Sequence, residues 1–199
     1  GIVGGLGVGG LLETIGTNFV ANRSMAIFMM ILLVTGTLER NGLREAAANL
    51  IKKVKSATAG KLIAVYGVLN GLFGAFNVGF GGVAGFIRPV LLPMTEGAIE
   101  SHGHEPNEEH MEDIKGMASG MENITWFFFQ VLFVGGSGGI LVQTTLASLG
   151  YEVELVELAI AELPVAIIAL VVASIYYIMK DKKLMKKYYG SSDVKKTKK

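Results

Sequence analysis

Cysteine is absent from the chain, which excludes disulfides, thiol catalysis and thiolate metal sites. Charge is scarce as well: 18% of the 199 residues are Asp, Glu, Lys or Arg, against about 25% in soluble domains. There are three histidines (His102, His104 and His110), all in one acidic stretch, Ser101–Asp113, so they form no triad at membrane depth. A solvated loop is the plainer reading of that stretch than a metal site with Glu105 or Glu109. No nucleophile–base constellation is present, so an enzyme is not expected. The chain also opens in mid-apolar sequence, Gly1–Leu12, without a charged leader or an initiator Met. That predicts residues upstream, part of a first transmembrane helix.

Apolar residues make up 51% of the chain and the mean hydropathy is +0.48. Several runs approach the roughly 20 residues that span a bilayer. The expected fold is therefore all-α, a polytopic integral membrane protein with about four to five membrane helices. Glycine, at 27 residues, is near twice its usual share, which suits closely packed membrane helices.

Charge is distributed unevenly. Nine of the 18 Lys and Arg lie in the tail 180–199, and six more lie between Arg40 and Lys61. The positive-inside rule places both segments on the cytoplasmic side. The connector Ser148–Glu157 has acids but no Lys or Arg and suits the opposite face. Nothing in the chain points to nucleic acid. A single transmembrane domain, 1–179, is expected, followed by a basic cytoplasmic tail.

Within that domain Ser24–Leu38 reads as a short apolar helix. Residues 43–57 read as an amphipathic helix, with Leu43, Ala46, Ala47, Leu50, Ile51 and Val54 on one face and Arg44, Lys52, Lys53 and Lys55 off it. It lies either in the headgroup region or packed on its own protein. Residues 62–100 form an apolar helix, a glycine-rich break and a second helix. Residues 101–113 form a polar loop. Ile124–Ala147 is apolar around Gly135–Gly139, and Leu155–Met179 is the cleanest span, with Pro164 as a kink and Tyr176 and Tyr177 in an interface belt. A cytoplasmic tail makes 62–100 a re-entrant hairpin, or else a single crossing with Ile124–Ala147 re-entrant.

The break itself, Asn77–Pro89, holds four glycines and ends on Arg88 beside a proline. Open backbone at membrane depth survives only inside protein or beside a polar cavity, and such breaks point to a transporter's binding site. Arg88 is placed to hold a carboxylate, or alternatively to pair with Glu96 or Glu100 or to reach the headgroups. Asn77, Gly79, Gly81 and Gly82 are candidate substrate ligands through main-chain groups, and Ser137 through its hydroxyl. Tight helix crossing accounts for the same glycines, since Gly67/Gly71 and Gly81/Gly85 have small-xxx-small spacing. Three literal matches fail for want of a strand: GxGxxG at Gly5–Gly10, GxGxxA at Gly79–Ala84, and GxSxG at Gly135–Gly139.

The runs Phe19–Met25, Thr37–Glu45 and Lys55–Gly60, with Ile87-Arg-Pro89 and Pro93–Ala98, resemble one bacterial membrane family. It is the shorter subunit of the two-component 5-oxoproline (pyroglutamate) transporter, formerly catalogued as a domain of unknown function. The resemblance covers nearly the whole chain and is most specific from Phe19 to Ala98. It implies a larger polytopic partner subunit, a split ion-transporter-superfamily architecture in the bacterial inner membrane, and 5-oxoproline as the anion for Arg88. No cofactor is implied beyond a coupling ion, Na+ or H+. A scaffold that stabilises a transporting or catalytic partner without transporting is the alternative.

Overall fold

The computed structural model describes residues 4–21, 30, 33–34, 36–54 and 57–190. Arg23, Lys55, most of Ser24–Leu38 and the tail from 191 lie outside the described residues, although residues 36–40 are helical. The elements are α1 (Gly7–Ala21), α2 (Leu43–Lys52), α3 (Ala59–Gly74), a π-helix (Val83–Leu91), α4 (Leu92–Ser101), α5 (Glu108–Gln130), α6 (Ser137–Ser148) and α7 (Leu155–Tyr189). The protein is all-α, with no strand among the described residues.

Local chemistry sets most boundaries. Extended Thr58 caps α3 by accepting from the Lys61 amide. Asn107 Oδ1 accepts from the His110 amide at 3.1 Å and starts α5. Glu154 and Glu157 form a reciprocal capping box at the head of α7. The helix ends at Gly190, whose φ of 74° suits a residue without Cβ.

The core is a three-helix group in which α3, α5 and α7 each pack on the other two. Glycines on α3 make this possible. A Cβ on Gly60 would lie 2.9 Å from Ile178 Cα on α7, and one on Gly67 would lie 2.5 Å from Met121 Sδ on α5. Gly71 meets the Phe129 ring in the same way. The Gly67/Gly71 spacing is thus a helix-crossing device. On α7 a single stripe faces this core: Ala166, Ala173, Tyr177, Asp181 and Leu184.

The remaining apolar surface faces outward. On α6 no residue is buried, and on α7 Ile160, Ile168, Val172 and Ile175 are all exposed. Among the described residues α7 is the one helix long and apolar enough to cross a membrane.

Several sequence expectations shift. The basic amphipathic helix stops at Lys52, and Leu50 is 50% exposed, whereas Ala47, Ala48 and Ile51 are buried. The polar loop is shorter than 101–113, because Asn107 caps a helix that takes in Glu108–Asp113. Residues 180–189 are helical and partly buried, and the C-terminal tail therefore starts ten residues later than expected. Tyr177 is buried with its hydroxyl against Gly120, so of the two tyrosines only Tyr176 is exposed.

Candidate functional site

The glycine-rich break begins as a helix stop. The Asn77 amide donates to Gly74 O at 2.8 Å and the Val78 amide to Phe73 O at 3.0 Å. Asn77 has a φ of 57°. This is a Schellman ending with asparagine in the left-handed position usually held by glycine. Val78 and Phe80 then turn inward and anchor the loop. Phe80 meets Phe73 edge-on at 5.2 Å and Phe86 at 5.1 Å, while Phe86 stacks on Tyr66 at 5.4 Å.

Gly81 and Gly82 both take positive φ, 81° and 68°, and carry the chain into the π-helix. The wide turn holds Pro89, which has no N–H to donate to the ladder. The next bond, from the Leu92 amide to Ile87 O, spans five residues. Such widened turns gather at functional sites. Gly81 and Gly85 do not serve helix crossing as their spacing suggested. Their own amide bond, Gly85 N–H to Gly81 O at 2.9 Å, closes the turn, and a Cβ on Gly85 would sit 2.9 Å from Phe80 O.

Two charged side chains from outside the break meet this loop. Arg44, on α2, brings Nη2 to 3.0 Å from the position of a Gly81 Cβ and Nη1 to 3.7 Å from that of Gly85. Glu122, on α5, brings Oε1 to 3.0 Å from the position of a Gly82 Cβ. Neither charge is in an ion pair; among the described residues the pair found is Lys115–Glu112 at 2.8 Å. Arg44 Nε is buried without a hydrogen-bond partner, and so is the hydroxyl of Tyr66 beneath the loop. An orphan of this kind costs about 1–3 kcal/mol. Next to Tyr66, Asn70 on α3 donates to Thr125 Oγ1 on α5 at 2.8 Å, a polar layer inside the core.

This arrangement offers a guanidinium laid on bare backbone and a carboxylate one glycine away. A guanidinium with open donors binds a carboxylate through two parallel bonds. Glu122 offers an acceptor to a donor group or a small cation.

The expected ligands are distributed unevenly around this centre. Gly79, Gly81 and Gly82 are in it, with Gly79 against the Trp126 ring. Asn77 stands at its edge, its backbone committed to stopping α3. Arg88 is exposed and makes no ion pair with Glu96 or Glu100. Ser137 is exposed at the start of α6, which packs on α7. The guanidinium at the glycines is that of Arg44, which sequence reasoning assigned to the outer face of α2. A signal was available: Arg44, Ala47, Ala48 and Ile51 share the i, i+3, i+4, i+7 stripe that turned out to face inward. For Glu122 and Tyr66 no comparable pattern existed.

The chain belongs to the family described as "Protein of unknown function (DUF969)", which it matches over residues 1–185. No curated protein and no solved structure matches it.

Proposed function

We propose, with that family membership as the premise, that the chain is one subunit of a two-component secondary transporter for a small organic anion. The observation that carries this reading is the unpaired Arg44 guanidinium laid against Gly81 and Gly85. The resemblance at Phe19–Ala98 supplies the substrate, 5-oxoproline, and the larger polytopic partner. Arg44 neutralises the carboxylate, and Gly79, Gly81 and Gly82 let the anion approach the backbone. Coupling is to Na+ or H+, and no reaction chemistry is involved.

The hairpin geometry supports a re-entrant element. Leu62 at the start of α3 and Ser101 at the end of α4 line one groove of about 360 Å³, so the chain leaves and returns at one level. With 16 residues, α3 covers about 24 Å, less than the ~30 Å hydrocarbon core. Lys and Arg at 40–61 and 180–199 put that level and the C-terminus in the cytoplasm, in a multi-pass inner-membrane protein.

Uptake of labelled 5-oxoproline into proteoliposomes holding both subunits tests this reading. Arg44→Ala is expected to raise KM about tenfold or more, the loss of one charge-assisted contact. Arg44→Lys restores only part of it, because the fork is lost. Saturable uptake that survives Arg44→Ala but fails in Arg88→Ala would return the anion to Arg88. The scaffold reading is favoured by one observation, the single helix long and apolar enough to cross a membrane among the described residues. It prevails if the partner alone transports at the full rate.

A further inference from the structure

The most anomalous polar groups of the core lie far from the glycine loop, where the last turns of α7 meet the first turns of α5. His110 is 0% exposed and Asp181 2% exposed. His110 Nε2 and Asp181 Oδ1 are both buried without a hydrogen-bond partner. Asp181 is wedged beside Gly60, where a Cβ would come within 2.8 Å of its own. The other imidazole nitrogen, Nδ1, is 3.2 Å from the Tyr189 hydroxyl, which also accepts from the Asn107 amide at 3.1 Å. The ring stacks on Tyr188 at 5.2 Å. Both tyrosines at the end of α7 thus meet this one imidazole.

We propose that the buried imidazole of His110 is a proton-binding site, influenced by the buried charge of Asp181, whose occupancy sets whether the last three turns of α7 stay docked on α5. A buried donor and a buried acceptor left unmatched are each costly, and a charge placed among them more so. The site is thus sensitive to a single proton. Its surroundings are defined from each element. On α5 stand Glu109, exposed, and Asp113, which accepts from the Tyr188 hydroxyl at 3.0 Å. On α7 stand Lys187, bonded to the Tyr188 hydroxyl at 2.7 Å, and the two tyrosines. His104, before α5, stacks on Tyr189 at 4.6 Å, and Lys61 follows Gly60 on α3.

These groups lie beyond the apolar part of α7, and their balance gives the sign. Burial pushes the His110 imidazole below its ordinary value; Asp181 and then Asp113 pull it back up, and Lys187 adds to the depression. A histidine whose value is lower when docked binds protons less well in that state. Docking is therefore complete above the free imidazole value of about 6.5 and is lost as pH falls below it.

Because the chain has no cysteine, Glu112→Cys with Lys186→Cys gives a spin-label pair on two exposed positions, one on each helix. In the full chain in lipid nanodiscs, acidification from about pH 7.5 to 5.5 is expected to raise the undocked, long-distance population at least threefold. His110→Gln removes this response. Asp181→Asn keeps it and moves its midpoint to higher pH, since the docked state loses the attraction that favours the imidazolium and holds the proton still less well. A distance distribution that ignores pH overturns the proposal. So does a response that persists in His110→Gln, one that vanishes instead in His104→Gln, or a midpoint that stays put or falls in Asp181→Asn. Should His110→Gln fail to fold, the last two variants still decide.

Discussion

The segments Asn77–Gly85 and Val131–Gly139 look alike in sequence, glycine-rich interruptions between apolar helices, but the protein uses them differently. The first is pinned from below by buried Val78 and Phe80 and met from two sides by Arg44 and Glu122. The second rests on Phe133, and the atoms nearest Gly136 and Gly139 belong to Phe133, Gln130 and Leu155. No charged side chain is among them. Glycine content marks where backbone can open; what packs beneath the opening, and which charges reach it from other helices, decides whether it can hold a ligand.

The largest test of that contrast is Phe80→Ala. Phe80 is 1% exposed and joins the rings of Tyr66, Phe73 and Phe86, so truncation is expected to cost about 3–5 kcal/mol. Thermal denaturation in detergent, followed by the single tryptophan, Trp126, beside Gly79, reads the loss where it occurs. A normal midpoint would mean that the loop is not anchored there. Next comes a pair of opposite sign. Gly85→Ala places a methyl 2.9 Å from Phe80 O, backbone that cannot easily give, at a cost of roughly 1–3 kcal/mol. Gly138→Ala, in α6 with nothing within 4 Å, is expected to be neutral or to gain up to about 1 kcal/mol. Equal destabilisation by both would erase the difference between the breaks. The smallest effect is Asn77→Gly, within a few tenths of a kcal/mol, because glycine is the usual occupant of that helix stop. If it abolishes uptake while the midpoint holds, the Asn77 side chain is a ligand after all.

Helical class and the glycine break were legible because each is written in local pattern: apolar runs, Gly and Pro. The partners of the break were not, because Arg44 reaches it from 37 positions upstream of Gly81 and Glu122 from 40 positions downstream of Gly82. The basic face of α2 was misread by about one residue of rotation, which exchanged Leu50 for Arg44 on the inner side. His110 was hidden by its neighbours. Five acids between Glu105 and Asp113 read as solvated loop, while the Asn107 cap turns that same stretch into a helix with one side against α7. Asp181, set in a lysine-rich run, was masked in the same way.

The length of α7 gives the molecule a lever. Its 35 residues extend about 52 Å, whereas the hydrocarbon core asks for ~30 Å. A tilt of about 5° at its head, small beside the ordinary spread of transmembrane helices, would sweep its tip by roughly 4–5 Å. That is more than a hydrogen bond can follow, so whatever tilts the helix is felt at Tyr188 and Tyr189, on the tip.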